Sequence, residues 1–409
     1  MFKLDQMKNI YTHNMMIYRL VSYFISAFLI STSIGLNAVL IPLALEENPT
    51  IFNPLNSTII LSAEPAIAIF ICLMMPTIIR KMGIRLGLLV TTILRMCSLV
   101  GMAMEMNSSI WVLLSTLLGV GSFFCLLTIQ LCINQLDIRK FKGVIYALFG
   151  TIISLGIATG PVIYSHNQII FCYLFSNICD FQIHDHSHAL LISSLITFLF
   201  LLPLLWHPDV LPNVKSFNHL NMGKLIKDNK GVLFAISLCG ISFFGVSWYI
   251  TIYGIRNHLM PQDAYYLLTA FMLGSVCLDA PISAVSEYFD RRLILVYSAL
   301  VCTIFAIFLP LAIYESYHAY ILLFIWGGII SGMYSNSLTL MENKYGATNA
   351  LKSSTVVSFM ENLGATGGMV ILGTMIHFIG TDGFSYTIIG ACLIYFSFVL
   401  ITYRNSIST

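Results

Sequence analysis

Long apolar stretches recur along the whole of this 409-residue sequence and limit the folds that it can adopt. A helix needs about 20 apolar residues to cross a bilayer. Stretches of about that length occupy twelve places in the chain: 17–45, 57–80, 84–104, 109–134, 143–165, 188–206, 231–254, 264–286, 292–314, 318–341, 353–379 and 383–403. Charged residues make up only 9% of the chain, whereas soluble domains carry about 25%. The sequence therefore predicts an all-α membrane protein with twelve transmembrane helices in a lipid bilayer.

A polar segment separates the first six predicted spans from the last six. Residues 207–230 hold four Lys, two Asp and two Pro, and they contain no apolar run long enough to cross a membrane. We therefore expect an N-terminal six-helix bundle at 1–206, a linker at 207–230 and a C-terminal six-helix bundle at 231–409.

The basic residues predict how the protein is oriented. With twelve spans, eighteen of the twenty Lys and Arg residues fall on one side of the membrane. Arg256 is the one that falls on the other side, and Arg95 lies inside a span. Loops rich in Lys and Arg face the cytoplasm. We therefore expect both termini and the linker to be cytoplasmic. The basic residues form no polar cluster of the kind that binds nucleic acid.

The two predicted halves repeat one another. Gly156 and Gly160 in the fifth span recur 208 positions later as Gly364 and Gly368 in the eleventh. The basic loop after the second span recurs 207 positions later, after the eighth. Transporters built from parallel repeats bind their substrate between the halves, near the middle of the membrane. The pattern thus indicates two pseudo-symmetric six-helix bundles with a site between them.

The two loops carry the most specific motif. The first, at 76–85, reads Pro-Thr-Ile-Ile-Arg-Lys-Met-Gly-Ile-Arg, and the second, at 283–292, reads Ser-Ala-Val-Ser-Glu-Tyr-Phe-Asp-Arg-Arg. They resemble the signature loop of the major facilitator superfamily, Gly-x3-Asp-Arg-x-Gly-Arg-Arg. With twelve spans in two halves, the resemblance extends over essentially the whole chain. It implies the major facilitator fold.

In that family the loop latches the two halves together in the outward-facing state, with its acid against a helix N-terminus, where the helix dipole favours negative charge. Glu287 stands at the acid position of the second loop, but Arg80 stands there in the first. By this resemblance the cytoplasmic latch residues are Arg80, Gly83, Arg85, Glu287, Asp290, Arg291 and Arg292.

The fifth span resembles a motif of the drug–proton antiporter branch, Gly-x3-Gly-Pro-x2-Gly-Gly. Gly156, Gly160 and Pro161 match it, whereas Tyr164 and Ser165 replace its last two glycines. Gln130, Asn134 and Tyr334 lie in segments similar to the YcaD-like group of that branch. The resemblance implies conformational gating by a set of glycines and a proline: Gly156, Gly160, Pro161, Gly364 and Gly368. The family's fourth span usually has an arginine that is implicated in proton transfer, but Ser115 occupies that place here.

Four ionisable residues lie within predicted spans, where they are costly and usually functional. Glu64 and Arg95 lie at similar depths in the second and third spans, so they can form an ion pair that is either structural or part of the coupling mechanism. Asp279 and Glu361 have no basic residue at a matching depth. Burial favours the neutral form of such carboxylates, as a proton carrier requires. All four are candidates for proton or substrate coupling.

Polar side chains within spans are candidates for lining a cavity: Asn37, Gln130, Asn134, Tyr334 and Asn336. Aromatic residues with few polar groups suit an amphipathic organic substrate. Trp248, Tyr249 and Tyr253 either contribute to such a wall or anchor their span at the membrane interface.

One predicted outer loop contains Cys172, Cys179 and the run 184–188, which reads His-Asp-His-Ser-His. Its spacing matches no closed metal site. Whether the two cysteines form a disulfide stays open at this point, and we predict no metal and no cofactor. Nucleotide-binding and hydrolase motifs, namely a P-loop, Gly-x-Ser-x-Gly and His-Glu-x2-His, are absent from the sequence. We therefore expect a protein that is not an enzyme.

Together these features predict a secondary active transporter that works by alternating access and exports a small organic molecule in exchange for protons. An importer on the same fold, by proton symport or uniport, is the alternative. A third possibility, from a different functional class, is a transporter-like membrane receptor that transports nothing. The resemblance implies a bacterial inner membrane, and we expect a monomer.

Overall fold

The computed structural model describes residues 2–51, 54–104, 107–134, 136, 142–166, 185–205, 222–345 and 350–407. These residues form thirteen helices and no strand. In chain order the helices are α1 Phe2–Glu47, α2 Pro54–Met104, α3 Ser108–Asn134, α4 Lys142–Ser165, α5 Asp185–Leu199, α6 Leu201–Leu205, α7 Met222–Asp228, α8 Lys230–Arg256, α9 Pro261–Val285, α10 Arg291–Ala312, α11 Ser316–Tyr345, α12 Ala350–Ile379 and α13 Gly383–Ile407.

The helices coincide with the predicted spans. Eleven segments of the described residues are long and apolar enough to cross a membrane, and Gly383–Val399 of α13 is a shorter apolar helix. The second and third spans share α2, while α5 and α6 together form the sixth span. The prediction of an all-helical, multi-pass membrane protein is therefore confirmed.

A glycine in an unusual conformation separates the two spans of α2. Gly83 has φ 74° and ψ 164°. A residue with a Cβ rarely adopts this conformation, so glycine lets the chain turn tightly between the second and third spans. The matching loop of the second half uses a different device, because Asp290 caps α10 by accepting a hydrogen bond of 2.9 Å from the backbone amide of Arg292.

The helix contacts repeat between the two halves. In the first half α1 packs on α4 and α2 packs on α3, while in the second half α8 packs on α12 and α9 packs on α11. The halves meet through a second pair of equivalent contacts, α2 with α12 and α4 with α9, and through α1 with α8. This arrangement gives two six-helix bundles related by an approximate two-fold repeat.

Glycines permit the closest of these contacts. A Cβ at Gly160 of α4 would lie 2.2 Å from backbone atoms of Gly35 and Leu36 in α1. A Cβ at Gly364 of α12 would lie 2.0 Å from the carbonyl oxygen of Ser237 in α8. The predicted glycine pairs therefore pack helices within each half. They do not lie between the halves.

The helix around this contact remains regular. Pro161 lies inside α4, which continues to Ser165. Gly156 packs on α1 at the carbonyl oxygen of Phe28, and Gly368 packs on α8 at Ile241. Small residues that let backbones approach closely are typical of helix packing in membranes.

Many large apolar side chains lie on the outside of the bundles. Examples from four helices are Ile93, Leu113, Ile307, Phe308 and Leu393, each more than half exposed. On a soluble protein such surfaces would associate. In a bilayer they contact lipid.

Part of the predicted domain organisation falls outside the described residues. These include the boundary at 206 and the linker as far as 221. The rest of the predicted linker forms α7 and the beginning of α8. The stretch 167–184, with Cys172 and Cys179, also lies outside the described residues.

Candidate functional site

A buried arginine lies at the centre of a polar network in the first half. Arg95 in α2 is fully buried. Its guanidinium donates to the hydroxyl of Ser33 at 2.9 Å, to Thr197 at 3.3 Å and to Ser122. These hydroxyls come from α1, α5 and α3, so the arginine links α2 to three other helices of its half.

Glu64 completes this network. It is 5% exposed, it hydrogen bonds with Ser122, and it interacts electrostatically with Arg95. The structure thus brings the predicted pair together around a shared serine. A buried pair of opposite charges whose groups are hydrogen-bonded in this way offsets part of the cost of burying them, and the coupling role of the pair stays a prediction.

Asn37 belongs to the same network. Its side-chain oxygen accepts a hydrogen bond of 2.8 Å from Ser193, whose hydroxyl lies 2.7 Å from that of Ser33. Asn37 is only 1% exposed. The structure therefore places this predicted cavity residue inside the first bundle.

The second half presents a different arrangement. Glu361 lies near the middle of α12 and is half-buried. Its carboxylate forms a hydrogen bond with the hydroxyl of Tyr334 on α11. Cys72, from α2 of the first half, lies close enough to interact with it electrostatically. Glu361 is thus at the junction of the two halves.

Asp279 on α9 is held by hydroxyl groups. Ser335 of α11 donates to one carboxylate oxygen at 3.0 Å, and Ser283 donates to the other at 3.4 Å. Ser331 forms a further hydrogen bond. Tyr334 and Ser335 are adjacent residues of α11. Glu361 of α12 and Asp279 of α9 therefore contact α11 at adjoining positions.

The charges of the two halves are therefore organised differently. Among the described spans of the second half, Lys and Arg occur only near helix ends. Asp279 and Glu361 accordingly have hydrogen-bond donors around them and, among the residues that the structure describes, no cation of their own half within the membrane. Such carboxylates can take up protons or hold a positively charged or hydrogen-bond-donating group of a substrate.

The remaining predicted cavity residues are distributed unevenly. Tyr334 lies beside Glu361, whereas Asn336 is 1% exposed and donates to the carbonyl oxygen of Gly332 in its own helix, at 2.8 Å. Gln130 is half-buried on α3. The side chain of Asn134 lies outside the described residues.

The three aromatic residues of α8 are buried. Trp248, Tyr249 and Tyr253 are 4%, 5% and 2% exposed. The hydroxyl of Tyr249 approaches Thr58 of α2 in the other half. These residues pack in the interior and do not anchor the helix at a lipid interface.

The predicted latch residues lie at the surface. Arg80, Arg85, Glu287 and Arg292 are exposed. Asp290 caps the start of α10, the helix that follows the second loop. The latching role of these loops stays a prediction.

The structure shows one polar cluster that sequence reasoning missed. Arg256, at the end of α8, makes two hydrogen bonds to the carboxylate of Glu46, at 2.7 and 2.8 Å. Beside it, the imidazole of His186 lies 2.6 Å from Glu47 and 3.0 Å from the hydroxyl of Tyr164. The sequence did single out Arg256 of this cluster, because the twelve-span prediction places it on the side of the membrane opposite to the other basic loop residues.

His186 is thus accounted for by protein partners. Among the described residues no group of three His, Cys, Asp or Glu side chains is placed to hold a metal ion. His184 lies outside the described residues.

Comparison with known proteins identifies the fold. No protein-family model matches the sequence, and no curated protein matches it. Among solved structures, the chain is similar to a point mutant of the nucleoside transporter NupG, with a TM-score of 0.71 and 12% sequence identity. The match covers 93% of this chain and 99% of the transporter. It confirms the predicted major facilitator fold.

Proposed function

We propose that this protein is a secondary active transporter that moves a small organic molecule by alternating access at a site between its two halves. The observation that carries the proposal is the position of Glu361 and Asp279. The major facilitator fold provides two bundles that can rock about their common interface. Glu361 of the second bundle reaches that interface beside Cys72 of the first, and Asp279 lies on α9, bonded to hydroxyl groups of its own half.

The two halves would then have different tasks. In the first half, Arg95 and Glu64 neutralise each other and keep the bundle rigid. In the second half, Glu361 is bonded to Tyr334 and lies next to Cys72 of the first half. A rocking motion of the two halves changes which groups of the first half lie next to Glu361. Protonation of that carboxylate can therefore be coupled to the motion.

We further propose coupled export of the substrate against entry of protons, in the orientation that places both termini in the cytoplasm of a bacterium. The antiporter-like motif of α4 supports export. The similar solved structure is that of a nucleoside transporter, and this likeness supports a second candidate function. Under that alternative the protein imports a nucleoside or a related metabolite.

Reconstitution tests the proposal. A thermal-shift screen of the purified protein against nucleosides, other metabolites and drugs would first identify a ligand, because a ligand stabilises the state that it binds. Proteoliposomes would then be assayed for uptake driven by a proton gradient and, separately, for exchange without a gradient.

In this assay we expect Glu361→Gln to abolish transport driven by the gradient and to leave exchange intact. Glu315→Gln is the matched control, because Glu315 is 71% exposed and pairs only with the nearby His318 among the described contacts. Gradient-driven transport at the wild-type rate in Glu361→Gln would remove this residue from the coupling mechanism.

A further inference from the structure

Several contacts between the halves lie at one end of the molecule, where α1, α4 and α8 end and α9 begins. The guanidinium of Arg256 from the second half binds both carboxylate oxygens of Glu46 from the first. Paired hydrogen bonds of this kind fix geometry as well as charge. Both side chains are about one-third exposed, so water reaches the pair.

Two aromatic residues of α9 add to this junction. The ring of Tyr265 packs edge-on against Tyr164, with centroids 5.0 Å apart and planes at 82°. The hydroxyl of Tyr266 lies 3.2 Å from that of Ser165. One turn deeper, Thr269 donates to the carbonyl oxygen of Ala158 at 3.0 Å.

Tyr164 and Ser165 are the residues that replace the last two glycines of the antiporter-like motif. Glycine could make neither the ring contact nor the hydroxyl contact. The departure from the motif thus has a structural consequence, since it supplies the first half's aromatic and hydroxyl contacts at the junction.

A brace within the first half holds Tyr164 in place. Its hydroxyl bonds to His186 of α5, and His186 bonds in turn to Glu47 of α1. The adjacent acids Glu46 and Glu47 therefore have different partners. Glu46 binds Arg256 of the opposite half, and Glu47 binds His186 of its own half.

We infer that Glu46, Tyr164, Ser165, Arg256, Tyr265 and Tyr266 form an interhalf lock that closes this end of the transport path and must separate in every cycle. The inference rests on the proposed alternating access. A partly exposed ion pair contributes about 1 kcal/mol or less. It can favour the closed state several-fold and still release during turnover.

Cysteine labelling tests the lock without requiring a known substrate. Thr269→Cys places a thiol just beneath the lock, where a membrane-impermeant maleimide added to intact cells reaches it only when this end opens. The wild-type protein, with all its native cysteines, gives the background. Adding Glu46→Gln or Arg256→Gln should accelerate labelling of Thr269→Cys by about five-fold, the factor that corresponds to about 1 kcal/mol.

A charge reversal makes the test specific. Thr269→Cys with both Glu46→Arg and Arg256→Glu should be labelled as slowly as Thr269→Cys alone. Adding Glu315→Gln, which breaks an ion pair within one half, should change nothing. Equal labelling in all variants would overturn the lock, whether or not the protein transports. Rapid labelling that persists in the charge reversal would overturn it too.

Discussion

The approach of α4 to α1 at Gly160 leaves no room for a side chain. A Cβ there would lie 2.2 Å from the backbone carbon of Gly35 and from the backbone nitrogen of Leu36. Carbon atoms in contact are separated by about 3.5 Å or more. The obstructing atoms belong to the backbone, so no rotamer change can relieve the clash. Gly160→Ala must push the two helices apart by roughly 1 Å.

Overpacking of this kind costs about 1–3 kcal/mol. At about 2 °C per kcal/mol, we expect Gly160→Ala to lower the melting temperature of the purified protein by about 2–6 °C. The assay is thermal unfolding in detergent.

Gly150 provides a control on the same helix. It is exposed, and a Cβ there would meet nothing within 4 Å. Alanine is also the better helix former by about 1 kcal/mol. Gly150→Ala should therefore leave the melting temperature unchanged or raise it. The close packing of α1 on α4 would be refuted if the two alanine variants melted at the same temperature.

Two further predictions concern the ionisable groups within the spans. Arg95→Met should destabilise the protein by about 3–5 kcal/mol because it leaves Glu64 buried without its cation, and the double variant with Glu64→Gln should regain part of that loss in the same unfolding assay. Tyr334→Phe removes the hydroxyl that bonds Glu361. It should slow gradient-driven transport roughly tenfold while exchange without a gradient continues. Equal slowing of both reactions would assign the hydroxyl to substrate binding instead.

Sequence reasoning succeeded where a property of single segments decides the structure. The length of the apolar runs predicts the helices, because a bilayer forces a helix of fixed minimum length. Depth along two helices was enough to pair Glu64 with Arg95. The repeated glycines indicated two equivalent halves, and the structure shows equivalent close contacts at Gly160 and Gly364.

Sequence reasoning was less successful for polar side chains that can form hydrogen bonds with several different partners. Asn336 was a candidate for a cavity wall, but its amide bonds to Gly332 one turn back on the same helix. Asn37 bonds to Ser193 inside its own bundle. A sequence pattern shows that such residues lie in a membrane, but it does not show which face of the helix is buried.

The lock lay beyond sequence reasoning for a different reason. Charges at helix ends, such as those of Glu46 and Arg256, are normally solvated. Their partnership depends on how the two halves are placed against each other, which no local pattern encodes.

Transport by the purified wild-type protein is the most direct test of the central claim. The measurement is exchange of a radiolabelled ligand, identified by thermal shift, across the membrane of proteoliposomes that contain the ligand in unlabelled form. An alternating-access transporter should accumulate label until the inside and outside pools mix. Binding of that ligand with no more uptake than in protein-free liposomes would contradict the account and identify a receptor built on a transporter fold.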